Sequence, residues 1–244
     1  MTYRMHTIAE RPELLAEVNR ISPTIWPEFM SHDEVCNRFW RFLFECFAEY
    51  QVVFCNEADE VAAMGHAAPL EWDGVEAHLP EGWDAAIEKA VRDHEAGVAP
   101  TALVGLAVAV VPEYRSQGIG ADVVRAMKSL AATRSLLGPV IPVRPVLKCE
   151  HPDVPMEEYI TWRRDDGLPF DPWVRLHVRL GARILRVAPR SMVVRGTVEE
   201  WERWTGMRFP SSGSYPVPGA LSPVTIDREA DLGEYIEPNV WMRH

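Results

Sequence analysis

The chain has no apolar run of the roughly 18 residues that a membrane-spanning helix needs. Its first residues, MTYRMHTIAERPE, contain no hydrophobic segment of the signal-peptide kind. These absences predict a cytoplasmic protein with no membrane partner. Cysteine is scarce: Cys36, Cys46, Cys55 and Cys149 show neither C-x-x-C nor Cys/His metal spacing, so they read as core or free thiols and no metal is expected. No basic tract offsets a formal charge of -11, which argues against a nucleic-acid partner and favours a cationic or neutral acceptor over an anionic one. The P-loop pattern and the G-x-G-x-x-G dinucleotide fingerprint are both missing. Repeats and low-complexity segments are missing too.

What is present is an ordinary globular composition, 47% hydrophobic and 25% charged over 244 residues, enough for a sizeable core. With no linker in view, the reading is one domain over 1–244. Its most informative stretch is LAVAVVPEYRSQGIG, Leu106 to Gly120. The apolar run Ala102 to Val111 has the length and composition of a buried strand. Ala121 to Thr133 places Val123, Val124, Met127, Leu130 and Ala131 on one helical face, as for a helix laid on a sheet. Between them Gly118 and Gly120 lack side chains that would hold an anion off the backbone. A pyrophosphate would sit on the first turn of that helix, where unpaired N–H groups and the helix dipole favour negative charge. Arg115 adds a charge-assisted contact. An ordinary strand-to-helix turn is the plainer alternative.

Arg115-x-x-Gly118-x-Gly120, with a strand before and a helix after, closely resembles the acyl-CoA-binding motif of the GCN5-related N-acetyltransferase superfamily. The resemblance implies an α/β (α+β) acyl-CoA N-acyltransferase fold: a mixed, mostly antiparallel central sheet flanked by helices. It implies acetyl-CoA, or another acyl-CoA, as cofactor. The pyrophosphate would lie on Arg115, Ser116, Gln117, Gly118, Ile119, Gly120 and Ala121, and the pantetheine arm along Val108, Ala109, Val110 and Val111. The order of elements agrees with this: a strand over Tyr3 to Ala9, two helices, strands over Gln51 to Cys55 and Glu60 to Ala68, then the clasp strand. The helical, acidic stretch within 78–98 is an insertion, expected either to wall the acceptor pocket or to cover a sheet edge. The core is expected to run to about residue 196, with 197–244 an elaboration packed on it. Asp171 and Pro172 open a further helix as cap and first residue, and Thr197 with Glu200 forms a capping-box pattern before another.

The superfamily often uses a tyrosine on the helix after the fifth strand to protonate the leaving thiolate. Here His177-Val178-Arg179-Leu180-Gly181 occupies that place, so His177 is the candidate catalytic acid, with a buried structural histidine as the alternative. The clasp strand carries no ionisable residue, which leaves His66, Glu71, Asp227 and Glu237 as distant candidates for a base. Arg144, at a strand end beside the acyl site, and Trp173 are candidate substrate contacts. The implied reaction is transfer of an acetyl or other short acyl group to an amine of a small molecule, by a monomer or homodimer. PFDPWVRLHVRLGARI also resembles the acetyltransferase-like loading domains of polyketide synthases, which makes a carrier-protein or small-molecule thiol the alternative acceptor. Docking an acidic carrier would then need a basic patch from Arg144, Lys148, Arg163 and Arg164. A non-catalytic acyl-CoA-binding protein is the third alternative.

Overall fold

The computed structural model describes residues 2–244. Nine strands form one sheet: β1 (Arg4–Thr7), β2 (Val52–Cys55), β3 (Val61–Leu70), β4 (Ala102–Val110), β5 (Leu137–Val143), β6 (Arg183–Gly196), β7 (Gly213–Tyr215), β8 (Val224–Asp227) and β9 (Leu232–Arg243). Their order is β1-β2-β3-β4-β5-β9-β8-β7, with β6 also paired to β9. Every contact in it is antiparallel except β4 with β5. Eight helices surround it: α1 (Leu14–Ile21), α2 (Glu34–Phe39), α3 (Phe42–Glu45), α4 (Trp83–Glu95), α5 (Ile119–Thr133), α6 (Met156–Tyr159), α7 (Pro172–Arg179) and α8 (Val198–Thr205).

All ten residues of β3 are buried, because helices cover both faces of the strand. One face meets α5: a side chain added at Gly65 would strike Val123 and Met127, and at Gly105 it would strike Ile141. Glycine at these two positions lets α5 lie close to the sheet. On the opposite face α1 packs against Met64 and Ala109, while His66 lies beside Trp40 and Phe44. The periodicity of Val35, Phe39, Leu43 and Phe47 predicts one helix there. The structure divides it into α2 and α3, with tight turns at Trp40 and Arg41 where the Trp40 indole stacks on Trp83.

The expected caps are formed. Asp171 accepts from the N–H groups of Trp173 and Val174, and Thr197 and Glu200 close a capping box at α8. Arg183 to Gly196 is a single strand, with register shifts at Ile184 to Arg186 and Ala188 to Met192. The C-terminal strand β9 pairs with both β5 and β6 and lies inside the sheet. Residues after 196 therefore complete the sheet beside β5 and build a second apolar cluster around Phe29, Trp201, Phe209 and Tyr235. No helix among the described residues is long and apolar enough to cross a membrane.

Candidate active site

The clasp begins where β4 ends. Residues Pro112–Tyr114 form one tight turn, Ser116 and Gly118 take left-handed conformations with φ of 62° and 85°, and Gly118 caps α5. A non-glycine residue is strained at such a φ. A side chain added at Gly118 would meet nothing within 4 Å. The space it would enter lies over the first turn of α5, where backbone N–H groups have no intrahelical partner. Arg115 is exposed beside this space, and its Nε donates to the Val110 carbonyl at 3.3 Å.

A slot opens next to the clasp. The parallel pairing of β4 and β5 covers only Ala102 with Leu137 and Val104 with Val140. Beyond that the strands part: β5 from Val140 to Val143 stays paired with β9 on its other edge, and β4 stays with β3. Within β4, Ala107 pairs with His66 and Gly105 with Ala67, which makes Leu106 the extra residue of a β-bulge. Its freed carbonyl accepts from the Trp83 indole N–H at 2.6 Å. The inserted helix α4 thus lies on the sheet face at the slot, held there by Trp83. On the α5 face, α7 lies beside the slot. A side chain at Gly120 would meet the Trp173 ring at 3.3 Å and Val110 at 3.7 Å.

His177, one turn after Trp173, is fully buried. Its ring is perpendicular to the Trp173 indole, and its Nδ1 is 2.8 Å from Nε2 of His244. Burial, with His244 adding to it, pushes the His177 pKa down to about 3. Burial and the nearby Lys128 ammonium lower that of His244 to about 4. Both rings are therefore neutral at pH 7. His177 Nε2 is buried with no partner among the described residues, and the Leu180 carbonyl stands beside the His244 ring.

The face under α4 is rich in buried carboxyl groups. Asp33 caps α2 through the Cys36 N–H, and Asp84 accepts from the Val193 N–H. The two carboxyls are neighbours out of water, and neither Asp33 Oδ2 nor Asp84 Oδ1 has a hydrogen-bond donor among the described residues. Burial raises both pKa values, that of Asp84 to about 8. Glu237 is buried, with donors from Tyr235, Asn239 and Arg144. Ser191 Oγ donates to Asn239 and accepts from the Trp83 N–H, which fastens the start of α4 to this network.

The sequence candidates fall in different places. The strand residues Val108 to Val111 run directly into the clasp residues Arg115 to Ala121, Trp173 stands beside Gly120, and His177 is buried one turn further along α7. Arg144 has a partner inside the protein: its guanidinium ion-pairs with Glu237 at 2.9 Å and donates to the Gly219 carbonyl. Lys148 is buried on three backbone carbonyls. Arg163 donates to the carbonyls of Ile160 and Trp162. Arg164 faces Asp166. Of the distant bases, Asp227 is exposed and holds turn amides, and Glu71 pairs with Lys89. His66 is buried, with its pKa lowered to about 4 by burial. Sequence reasoning missed His244, Trp83 and the approach of Asp33 to Asp84. Each works through a contact 23 or more residues away, which no local pattern records.

No family model matches the chain. It is 33% identical over 273 residues to the arginine N-acetyltransferase avaD of Aspergillus versicolor, a match that covers 99% of this chain and 93% of avaD. The chain belongs to the GCN5-related N-acetyltransferase superfamily. This acetyltransferase also superposes on the loading GNATL domain of CurA from Lyngbya majuscula, with a TM-score of 0.62 and 18% identity, over 97% of this chain and 98% of that one. With the GphF GNAT-like decarboxylase, solved in complex with isobutyryl-CoA, the TM-score is 0.56 and the identity 15%, over 100% and 98% of the two chains. These two likenesses are of fold. The acetyltransferase is an acyl-CoA-dependent enzyme that transfers an acyl group to an amine of a small molecule. Its own residues fit that cofactor: the space over Gly118 is open, the slot begins beside half-buried Val108 and Val110, and glycine at 120 leaves room beside Trp173.

Proposed function

We propose that this acetyltransferase moves an acetyl group from acetyl-CoA to a nitrogen of arginine or of a small molecule with an arginine-like cationic side chain. The observation that carries the reading is full-length kinship with a protein named as an arginine N-acetyltransferase. Two features of the chain support it. The net charge is -11, and the face under α4 buries Asp33, Asp84 and Glu237. A carrier-protein acceptor is disfavoured, because Arg144 and Lys148 are committed inside the protein and do not offer a docking patch. All four cysteines are free thiols, in keeping with a cytoplasmic setting. Every group named comes from one chain, so a monomer or a homodimer serves.

In this reading the amides of Gln117 to Gly120, with Arg115, hold the pyrophosphate beside Ala121, and Val108 to Val111 align the pantetheine arm beside Trp173. Attack of the nitrogen on the thioester places negative charge on the carbonyl oxygen, which a backbone N–H of the parted β4 meets. The C–S bond then breaks, and His177 gives the leaving thiolate its proton.

The test is thiol release from acetyl-CoA with arginine, lysine and benzylamine as acceptors. Arginine is expected to exceed benzylamine in kcat/KM by about tenfold or more, roughly the 1.4 kcal/mol of one good polar contact. His177→Ala is expected to lower kcat about 100-fold while acetyl-CoA still binds. Equal turnover of all three amines would refute the acceptor, and unchanged turnover in H177A would refute the acid.

A further inference from the structure

His177 and His244 meet across 67 residues of sequence, level with Pro139 on the β9 side of β5 and one residue from Val140, the last residue of β5 paired with β4. His244 follows β9, whose Arg243 is paired with Val140, and its backbone N–H donates to the Pro139 carbonyl of β5. On the other side stands α7, which runs from Trp173 beside Gly120 down to His177. The one charged neighbour identified at the pair is Lys128 on α5, whose ammonium donates to the Leu180 carbonyl.

Two neutral imidazoles joined nitrogen to nitrogen hold one proton between them. That proton lies on His177 Nδ1 or on His244 Nε2. The choice decides what the other nitrogen of His177 can do, because Nε2 is a lone pair in the first arrangement and an N–H in the second. A neutral imidazole that carries its proton on Nε2 would have to become an anion to protonate a thiolate. One with a free Nε2 lone pair can first take a proton and then return it. β4 itself carries no carboxylate that could serve the incoming nitrogen as a base.

We propose that His244 is the positioning residue for His177: its Nε2 accepts from His177 Nδ1–H and leaves Nε2 of His177 as a lone pair, so that one histidine serves as base and then acid. This rests on the role given to His177 above. As the C–N bond forms, the proton of the attacking nitrogen passes to His177 Nε2. As the C–S bond breaks, its electron pair stays on sulfur and the same proton passes from Nε2 to the thiolate. Amide and free CoA thiol leave, the imidazole is neutral again, and no further reactant is consumed. Between the two transfers the imidazolium is held by the His244 lone pair, as a carboxylate holds the imidazolium of a catalytic triad.

The test combines imidazole NMR and kinetics on the full chain. Long-range proton–nitrogen spectra of the 15N-labelled protein at pH 7 are expected to show His177 protonated at Nδ1 in the wild type and in His244→Gln, whose side-chain oxygen accepts the same bond. In His244→Ala that fixed tautomer is lost. kcat is expected to fall at least about tenfold in H244A, a modest share of the 10²–10⁴ that a proton-transfer group supplies. It is expected to recover to within about threefold of wild type in H244Q, with both KM values nearly constant. A wild-type His177 protonated at Nε2, or equal kcat for H244A and H244Q, would overturn the proposal. The NMR measurement needs no turnover, so a wrong acceptor would fail the amine panel and leave the tautomer result standing.

Discussion

At the scale of single residues, Asp33 and Asp84 are neighbouring carboxyls largely out of water, an arrangement that is relieved when the pair keeps one proton. Asp33 Oδ2 and Asp84 Oδ1 are buried and receive no hydrogen bond from the described residues. The folded pKa of Asp84, about 8, lies above its ordinary 3.8. A group shifted upward in the folded state contributes stability that is fully present below pH 4 and is lost as pH rises through 8. Asp84→Asn keeps an oxygen for the Val193 N–H and supplies a permanent donor to Asp33. We expect the variant to match the wild type in Tm near pH 5, to exceed it above pH 8, and to show a flatter dependence between. Parallel Tm curves from pH 5 to 9 would show that no proton is shared. Gly118 gives a second prediction. Gly118→Val strains a left-handed position and fills the space over α5, so acetyl-CoA binding by calorimetry should weaken by more than about tenfold, the loss of one polar contact or more. Gly97 has a similar φ of 65° and equally open surroundings but lies far from the clasp in sequence. Gly97→Val should therefore lose comparable stability and bind normally, and equal binding by both variants would place the pyrophosphate elsewhere.

At the scale of elements, α4 changes what the slot can admit. Its Trp83 binds the carbonyl that the β4 bulge sets free, and its first backbone N–H is tied through Ser191 to Asn239 of β9. Trp83→Phe keeps most of the apolar contact and leaves that carbonyl unpaired, which costs about 1–3 kcal/mol. The expected result is lower stability in urea together with a raised KM for the amine and a nearly constant KM for acetyl-CoA. A change confined to the acetyl-CoA side would mean that α4 does not border the acceptor. The clasp, the Asp171–Pro172 helix start and the Thr197–Glu200 capping box were legible in the sequence, because each is written within a few consecutive residues. The insertion was legible as a helix, and its place on the sheet face was not. That place depends on Trp83 reaching Leu106, 23 residues on, and on Ser191, 108 residues on. The same holds for β9. Only its pairing with β5 and β6 shows that it lies inside the sheet and brings His244 to His177.

At the scale of the whole molecule, the two substrates of the reaction meet a protein of charge -11 with opposite signs. An arginine-like acceptor is drawn towards the surface and the polyanionic CoA is repelled from it, so the clasp must bind its phosphates against the field of the molecule. Local N–H groups at the start of α5, with Arg115, supply what the net charge opposes. Salt separates these contributions, because the Debye length shrinks from about 10 Å at 0.1 M to about 3 Å at 1 M and long-range terms fade while close contacts persist. Raising salt from 0.05 to 0.5 M should therefore raise the KM for arginine and lower or leave unchanged the KM for acetyl-CoA. Steady-state kinetics with each substrate varied in turn measures both. If the arginine value does not move, the acidity of the chain plays no part in drawing the acceptor, and selection rests on local contacts alone.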